Sequence, residues 1–98
     1  MNDYIKDQLT EGMILGQLME ECAELSQAAH KIIRLQQGVN LPHGDHDFIA
    51  ELNEELADVL LCASLLDCVD WDKVSGIMDE KCFRWGKRLM AERENQNE

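Results

Sequence analysis

From Glu11 to Gln36 the apolar positions Ile14, Leu18, Cys22, Leu25, Ala29 and Ile32 recur in steps of three and four. That spacing puts them on one side of an α-helix, and Thr10 stands where an N-cap belongs. A second helix is predicted from about Phe48 to Asp67. In it Leu52, Leu56, Val59, Ala63 and Leu66 form one stripe, and Ala57, Leu61 and Leu65 form another on the far side. A helix apolar on two sides is buried on two sides, so a partner subunit is expected over the second stripe. A third helix is predicted from Asp70, a good N-cap, to about Glu92. Its apolar face is Trp71, Val74, Met78, Cys82, Trp85 and Leu89, and the tail ERENQNE is expected to fray.

Between the first two helices, QQGVNLPHGDHD (36–47) gathers two glycines and the chain's only proline, and it is the one clear loop. No repeat, linker or strand-like alternation interrupts the pattern. The expected fold is all-α: a helical bundle of three long helices plus a short N-terminal helix, one domain over residues 1–98. A core this small gains from association with further copies, so a homodimer or homotetramer is expected.

Charge narrows the partners. Twenty acids stand against nine lysines and arginines, a formal net charge of −11. Such a surface repels nucleic acid and anionic membranes, and neither is expected as a partner. It attracts cations, and an anionic substrate such as a nucleotide would then need metal ions as intermediaries. The start, MNDYIKDQLTEG, lacks the apolar core of a signal peptide. No apolar run approaches the roughly 20 residues that span a bilayer. A cytoplasmic protein is expected. Its four cysteines, Cys22, Cys62, Cys68 and Cys82, form no C-x-x-C pair and read as small buried hydrophobes rather than zinc ligands.

The stretch LMEECAELSQ (18–27) sets acids among core-type residues. On a helix Glu21 and Glu24 lie about 60° apart, bordering the stripe of Leu18, Cys22 and Leu25, whereas Glu20 points about 100° away from Glu21. Glu55 and Asp58 repeat the i, i+3 spacing beside the stripe of the second helix, and Glu51 shares their side. The loop is long enough to fold the two helices back antiparallel. If the acidic edges meet, four carboxylates converge and repel, and a divalent cation relieves the repulsion. Oxygen ligands suit Mg²⁺, with Mn²⁺ as a substitute, rather than Zn²⁺. Carboxylate di-iron bundles instead use Glu-x-x-His pairs, and no histidine stands at such a position. Acidic helix faces also arise simply for solvation, and both readings stay open on spacing alone.

The pattern Glu20-Glu21-Cys22-Ala23-Glu24 followed by Glu55-Leu56-Ala57-Asp58 resembles the E-E-x-x-E and E-x-x-D motifs of the MazG-like nucleotide pyrophosphohydrolases, in the all-α NTP pyrophosphatase superfamily. The run NEELADVLLC is similar too, and the likeness covers roughly residues 10–90. The resemblance implies an oligomeric all-α enzyme that hydrolyses nucleoside triphosphates, dNTPs or modified NTPs, to the monophosphate and pyrophosphate with Mg²⁺. It implies Glu21, Glu24, Glu55 and Asp58 as metal ligands. Glu24 would also accept the proton of the attacking water, and Glu20 would play a supporting catalytic part.

The distal phosphates need cations. In KCFRWGKRL, Lys81, Arg84 and Arg88 share one side of the third helix, and Lys87 points away. They suit phosphate, and they equally suit the C-terminal half of a helix by its dipole. The base-binding residues are not readable. Trp71 and Trp85 read as core, while Tyr4 and Phe48 are freer candidates, and the loop histidines His43 and His46 carry no assigned part. The alternative to an enzyme is a non-catalytic helical oligomer, a nucleotide or metal sensor or an adaptor with the same acidic cluster.

Overall fold

In a computed structural model, which describes residues 1–38 and 46–97, every regular element is a helix. In chain order these are α1 (Asn2–Gln8), α2 (Glu11–Gln36), α3 (Phe48–Ser64) and α4 (Trp71–Gln96). The chain divides into two compact units, Met1–Asp67 and Cys68–Glu98. No helix among the described residues is long and apolar enough to cross a membrane.

Side chains placed by the sequence start each long helix. Thr10 accepts a hydrogen bond from Met13 N at 3.1 Å, Asp47 from Ala50 N at 3.0 Å and Asp70 from Lys73 N at 3.1 Å. Each satisfies a backbone donor that has no partner within its helix. At the end of α2, Gly38 takes φ +78° and donates its N–H to Leu35 O at 3.1 Å. This is the left-handed stop that glycine adopts at least cost. Two boundaries differ from expectation. α3 ends at Ser64, where Leu65 N and Leu66 N bond back to Cys62 O and Ala63 O. α4 runs on to Gln96, because Glu92, Arg93, Glu94 and Gln96 are adequate helix formers and nothing in the tail breaks the helix.

In the first unit α2 packs on α3. The seam positions of α2 are Ile14, Leu18, Glu21, Leu25, Ala28 and Ile32, all buried or half-buried, with Lys31 half-buried beside Ile32. Those of α3 include Phe48, Leu52, Glu55, Val59 and Cys62, and Leu66, just past its end, continues the spacing. Both series step four and three in strict alternation, the seam of helices that pack nearly along one another. This corrects the predicted stripes. Cys22, Ala29 and Leu56 are exposed, and the places given to Cys22 and Leu56 belong to Glu21 and Glu55. The two glutamates therefore lie within the seam rather than beside it. Among the cysteines only Cys62 is buried, since only Cys62 falls on a seam position.

In the second unit α4 has no buried residue. Its stripe of Trp71, Met78, Trp85 and Leu89 is exposed, as is Cys82. The core assignment of the two tryptophans is thereby corrected: their spacing is helical and amphipathic, but the unit supplies no apolar surface against which to bury them. A cation of α4, Lys87, stands 5.4 Å from the centre of the Phe83 ring.

Candidate metal centre

Glu21 and Glu24 come from the middle of α2, and Glu55 and Asp58 from the middle of α3. Each of the four offers one oxygen within 4.8 Å of those of the others. The antiparallel seam is what joins them. Glu21 and Glu55 occupy seam positions and are half-buried, while Glu24 and Asp58, three residues on, lie at the exposed rim. The result is a carboxylate cup with an inner pair and an outer pair.

The inner pair is under-satisfied. Gln17 Nε2 donates to Glu21 Oε1 at 2.7 Å, leaving Glu21 Oε2 buried without a hydrogen-bond partner. Glu55 Oε2 is in the same condition. Buried carboxylate oxygens without donors are costly. Two of them in a cluster of four acids mark a place that fits a hard cation. No ion pair of a described lysine or arginine neutralises any of the four.

The surroundings bear the same sign. Cys62, one turn after Asp58, has its thiol pKa raised, first by burial and then by the charges of Glu21 and Asp58, with a further contribution from Cys22. A buried thiol whose pKa is raised in this way is a small apolar neighbour of the acids rather than a ligand. Glu20 is exposed and is not among the four converging acids, in keeping with its angular offset.

Glu51 does not join the cup either. Its carboxylate receives Lys31 Nζ at 2.8 Å on one oxygen and lies 2.7 Å from His46 Nε2 on the other. These partners lower its pKa: the hydrogen bond from Lys31 counts most, then that from His46, against some desolvation. The His46 ring meets the Phe48 ring edge-on at 4.7 Å. The sequence reading put Glu51 on the correct side but missed this junction. A lysine twenty residues away becomes a neighbour only when the chain reverses.

The remaining candidates are distributed as follows. Lys81, Arg84 and Arg88, with Trp85, line one open depression of about 380 Å³ on α4, so the three cations do share a side. Phe48 is 6% exposed and serves the core, which removes it as a free base-stacking candidate. Tyr4 is exposed on α1. His43 lies outside the described residues. Neither a family model, nor a curated protein, nor a solved structure matches the chain.

Proposed function

We propose that the chain is a Mg²⁺-dependent nucleoside triphosphate pyrophosphohydrolase that acts on dNTPs or modified NTPs as a homo-oligomer, with the MazG-like motif as its centre. One observation carries the reading. Glu21, Glu24, Glu55 and Asp58, four of the five acids that match E-E-x-x-E and E-x-x-D, converge within 4.8 Å, and two of their oxygens are buried without donors.

Glu21, Glu24, Glu55 and Asp58 would hold Mg²⁺, or Mn²⁺ in its place. When bound, the ion neutralises phosphate charge and makes a water more acidic. The chain's own part is binding and proton transfer. Glu21 and Glu55 are fixed by the seam and form the rigid inner wall. Glu24 stands at the exposed rim, where a carboxylate oxygen can take the proton of the attacking water. Attack at the α-phosphorus breaks the bond to the bridging oxygen and releases pyrophosphate. Glu20 is a neighbour on α2 and supports the centre from outside the cup. Lys81, Arg84 and Arg88 are the α4 cations proposed for the departing phosphates.

The test is a panel of dNTPs with Mg²⁺, assayed for pyrophosphate and for single phosphate. Pyrophosphate release by the wild type, abolished in Glu24→Gln and Asp58→Asn, supports the enzyme. Mg²⁺ binding with no turnover of any nucleotide would leave a metal or nucleotide sensor instead.

A further inference from the structure

The acidic cup lies on one side of the α2–α3 pair, and the opposite side carries a second set of regularly spaced residues. Glu24 is three residues past Glu21 and so points about 60° to one side of the seam, whereas Cys22, one residue past Glu21, points about 100° to the other. Asp58 and Leu56 bear the same relation to Glu55. The helices are antiparallel and Glu24 meets Asp58 at the rim, so Cys22 and Leu56 share the side turned from the cup.

That side has its own seam. On α2 it runs Leu15, Met19, Cys22, Ser26, Ala29 and Ile33, and on α3 Ile49, Asn53, Leu56 and Leu60, in alternating steps of four and three. All ten are exposed, none is charged, and only Ser26 and Asn53 are polar. Asn53 turns its amide nitrogen back onto Ile49 O at 2.9 Å. The middle of the α2 row is small, with the larger Leu56 and Leu60 on the other helix, so the two rows form an apolar trough roughly 27 Å long from Leu15 to Ile33. Helices with two such seams belong to bundles of more than two helices.

α4 has the matching seam. Trp71, Ser75, Met78, Cys82, Trp85 and Leu89 repeat the steps from Leu15 to Ile33 over the same length, and all six are exposed. Charge selects the same pairing. Residues 1–67 hold thirteen acids against three lysines and arginines, so two copies of that unit repel when brought face to face. α4 holds six lysines and arginines against five acids, and no acid interrupts Lys81, Arg84, Lys87 and Arg88. Both faces are exposed in a single chain, so the helix that fills the trough comes from a second copy.

We propose that α4 of one copy docks in the trough between α2 and α3 of another and completes a three-helix bundle on the side away from the cup. The exchange is reciprocal: each copy gives a helix and receives one, so a two-fold dimer contains two such contacts. The inference needs neither metal nor substrate, and it stands or falls separately from the pyrophosphohydrolase reading.

The experiment is sedimentation of the full chain in EDTA, with tryptophan emission read alongside. Leu60→Lys spoils the trough and leaves α4 intact; it also lowers the net negative charge, so its effect cannot come from general repulsion. Trp85→Glu spoils α4 and leaves the trough intact. Each alone should weaken self-association a hundredfold or more, the scale of one uncompensated buried charge. Mixed in equal amounts, they should recover a species of twice the chain mass, since the intact α4 of one fits the intact trough of the other. Leu60 is exposed, so its replacement should leave the helix content unchanged by circular dichroism; Cys22→Arg, on the other wall of the trough, replaces it in the same scheme if Leu60→Lys does not fold. Wild-type self-association in Leu60→Lys would show that α4 meets something other than the trough, and wild-type self-association in Trp85→Glu that trough meets trough. Either result overturns the proposal. So does a mixture that stays monomeric, or a monomeric wild type, whose blue emission would mean that α4 covers the trough of its own chain.

Discussion

Lys31 Nζ lies 2.8 Å from Glu51 Oε1, and His46 Nε2 lies 2.7 Å from the other oxygen of the same carboxylate. One half-buried acid thus ties the C-terminal half of α2 to the start of α3. The seam beyond it carries the acidic cup, so the bridge acts as the clasp of the helix pair that creates the site.

The clasp has a pH signature. Glu51 has its folded pKa lowered from 4.5. A depressed carboxylate pKa adds stability that is fully present above the unfolded value and disappears as pH falls through the folded value. Glu51→Gln should therefore lower Tm at pH 7, and the gap to wild type should close between the ordinary glutamate range and strongly acidic pH. Thermal unfolding of both proteins at pH 7, 5, 4 and 3 measures it. A gap that persists undiminished at pH 3 would show that Glu51 contributes something other than its ionic bonds.

A second prediction follows from the position of Glu55. It stands on the seam between Leu52 and Val59, with one oxygen buried and unpartnered. A leucine there would continue the apolar seam, remove one of four repelling charges and eliminate that orphan oxygen. In the absence of divalent ions, Glu55→Leu should raise stability by about 1–2 kcal/mol, near the value of burying one aliphatic side chain. The same variant should lose the response to Mg²⁺. For the wild type, Mg²⁺ at a hundredfold excess over Kd should add about 2.7 kcal/mol, well beyond a matched ionic-strength control. Unfolding with EDTA and with Mg²⁺ separates the two effects. A site that stabilises the protein when filled and destabilises it when empty is one kept for function. Equal Mg²⁺ responses in wild type and Glu55→Leu would remove the cup as the binding site.

That same residue shows how far the sequence could be read. The helices, the caps at Thr10 and Asp70, and the two carboxylate pairs were all legible, because they depend on neighbours within one helix turn; the cap at Asp47 was not singled out. The phase of the seam was harder to read. Scanning for apolar residues selects Cys22 and Leu56, each one residue away from a seam glutamate and so about 100° out of place. A polar residue at a core position breaks the stripe where the site is, and the strict four-three spacing of the flanking residues is the evidence that restores it. The Lys31 half of the Glu51 clasp was not legible, since Lys31 meets Glu51 only through the folding of α2 against α3, whereas His46 stands just five residues before Glu51. α4 was legible as an amphipathic helix, but nothing within one chain's pattern states what its apolar face meets.

The third prediction concerns that face. Trp71 is 46% exposed and Trp85 61% exposed, on a 26-residue helix without a buried residue. Ile49, Leu60 and Leu61 of α3 are exposed as well, on the sides turned from the α2 seam. Apolar surface costs about 25 cal/mol per Å² when left in water, and large patches of it mark association sites. A homo-oligomer that buries the α4 stripe relieves the cost. Sedimentation should then give a mass at least twice that of the 11.2 kDa chain, and tryptophan emission should shift to the blue as concentration rises through the dissociation range. Trp85→Glu, which sets a charge in the middle of the stripe, should move the protein toward monomer and hold its emission red at every concentration. The α2–α3 cup belongs to the other compact unit, so its Mg²⁺ response should survive in that variant. A wild type that sediments as a monomer at high micromolar concentration, with red emission throughout, would show that copies of this chain do not cover the face.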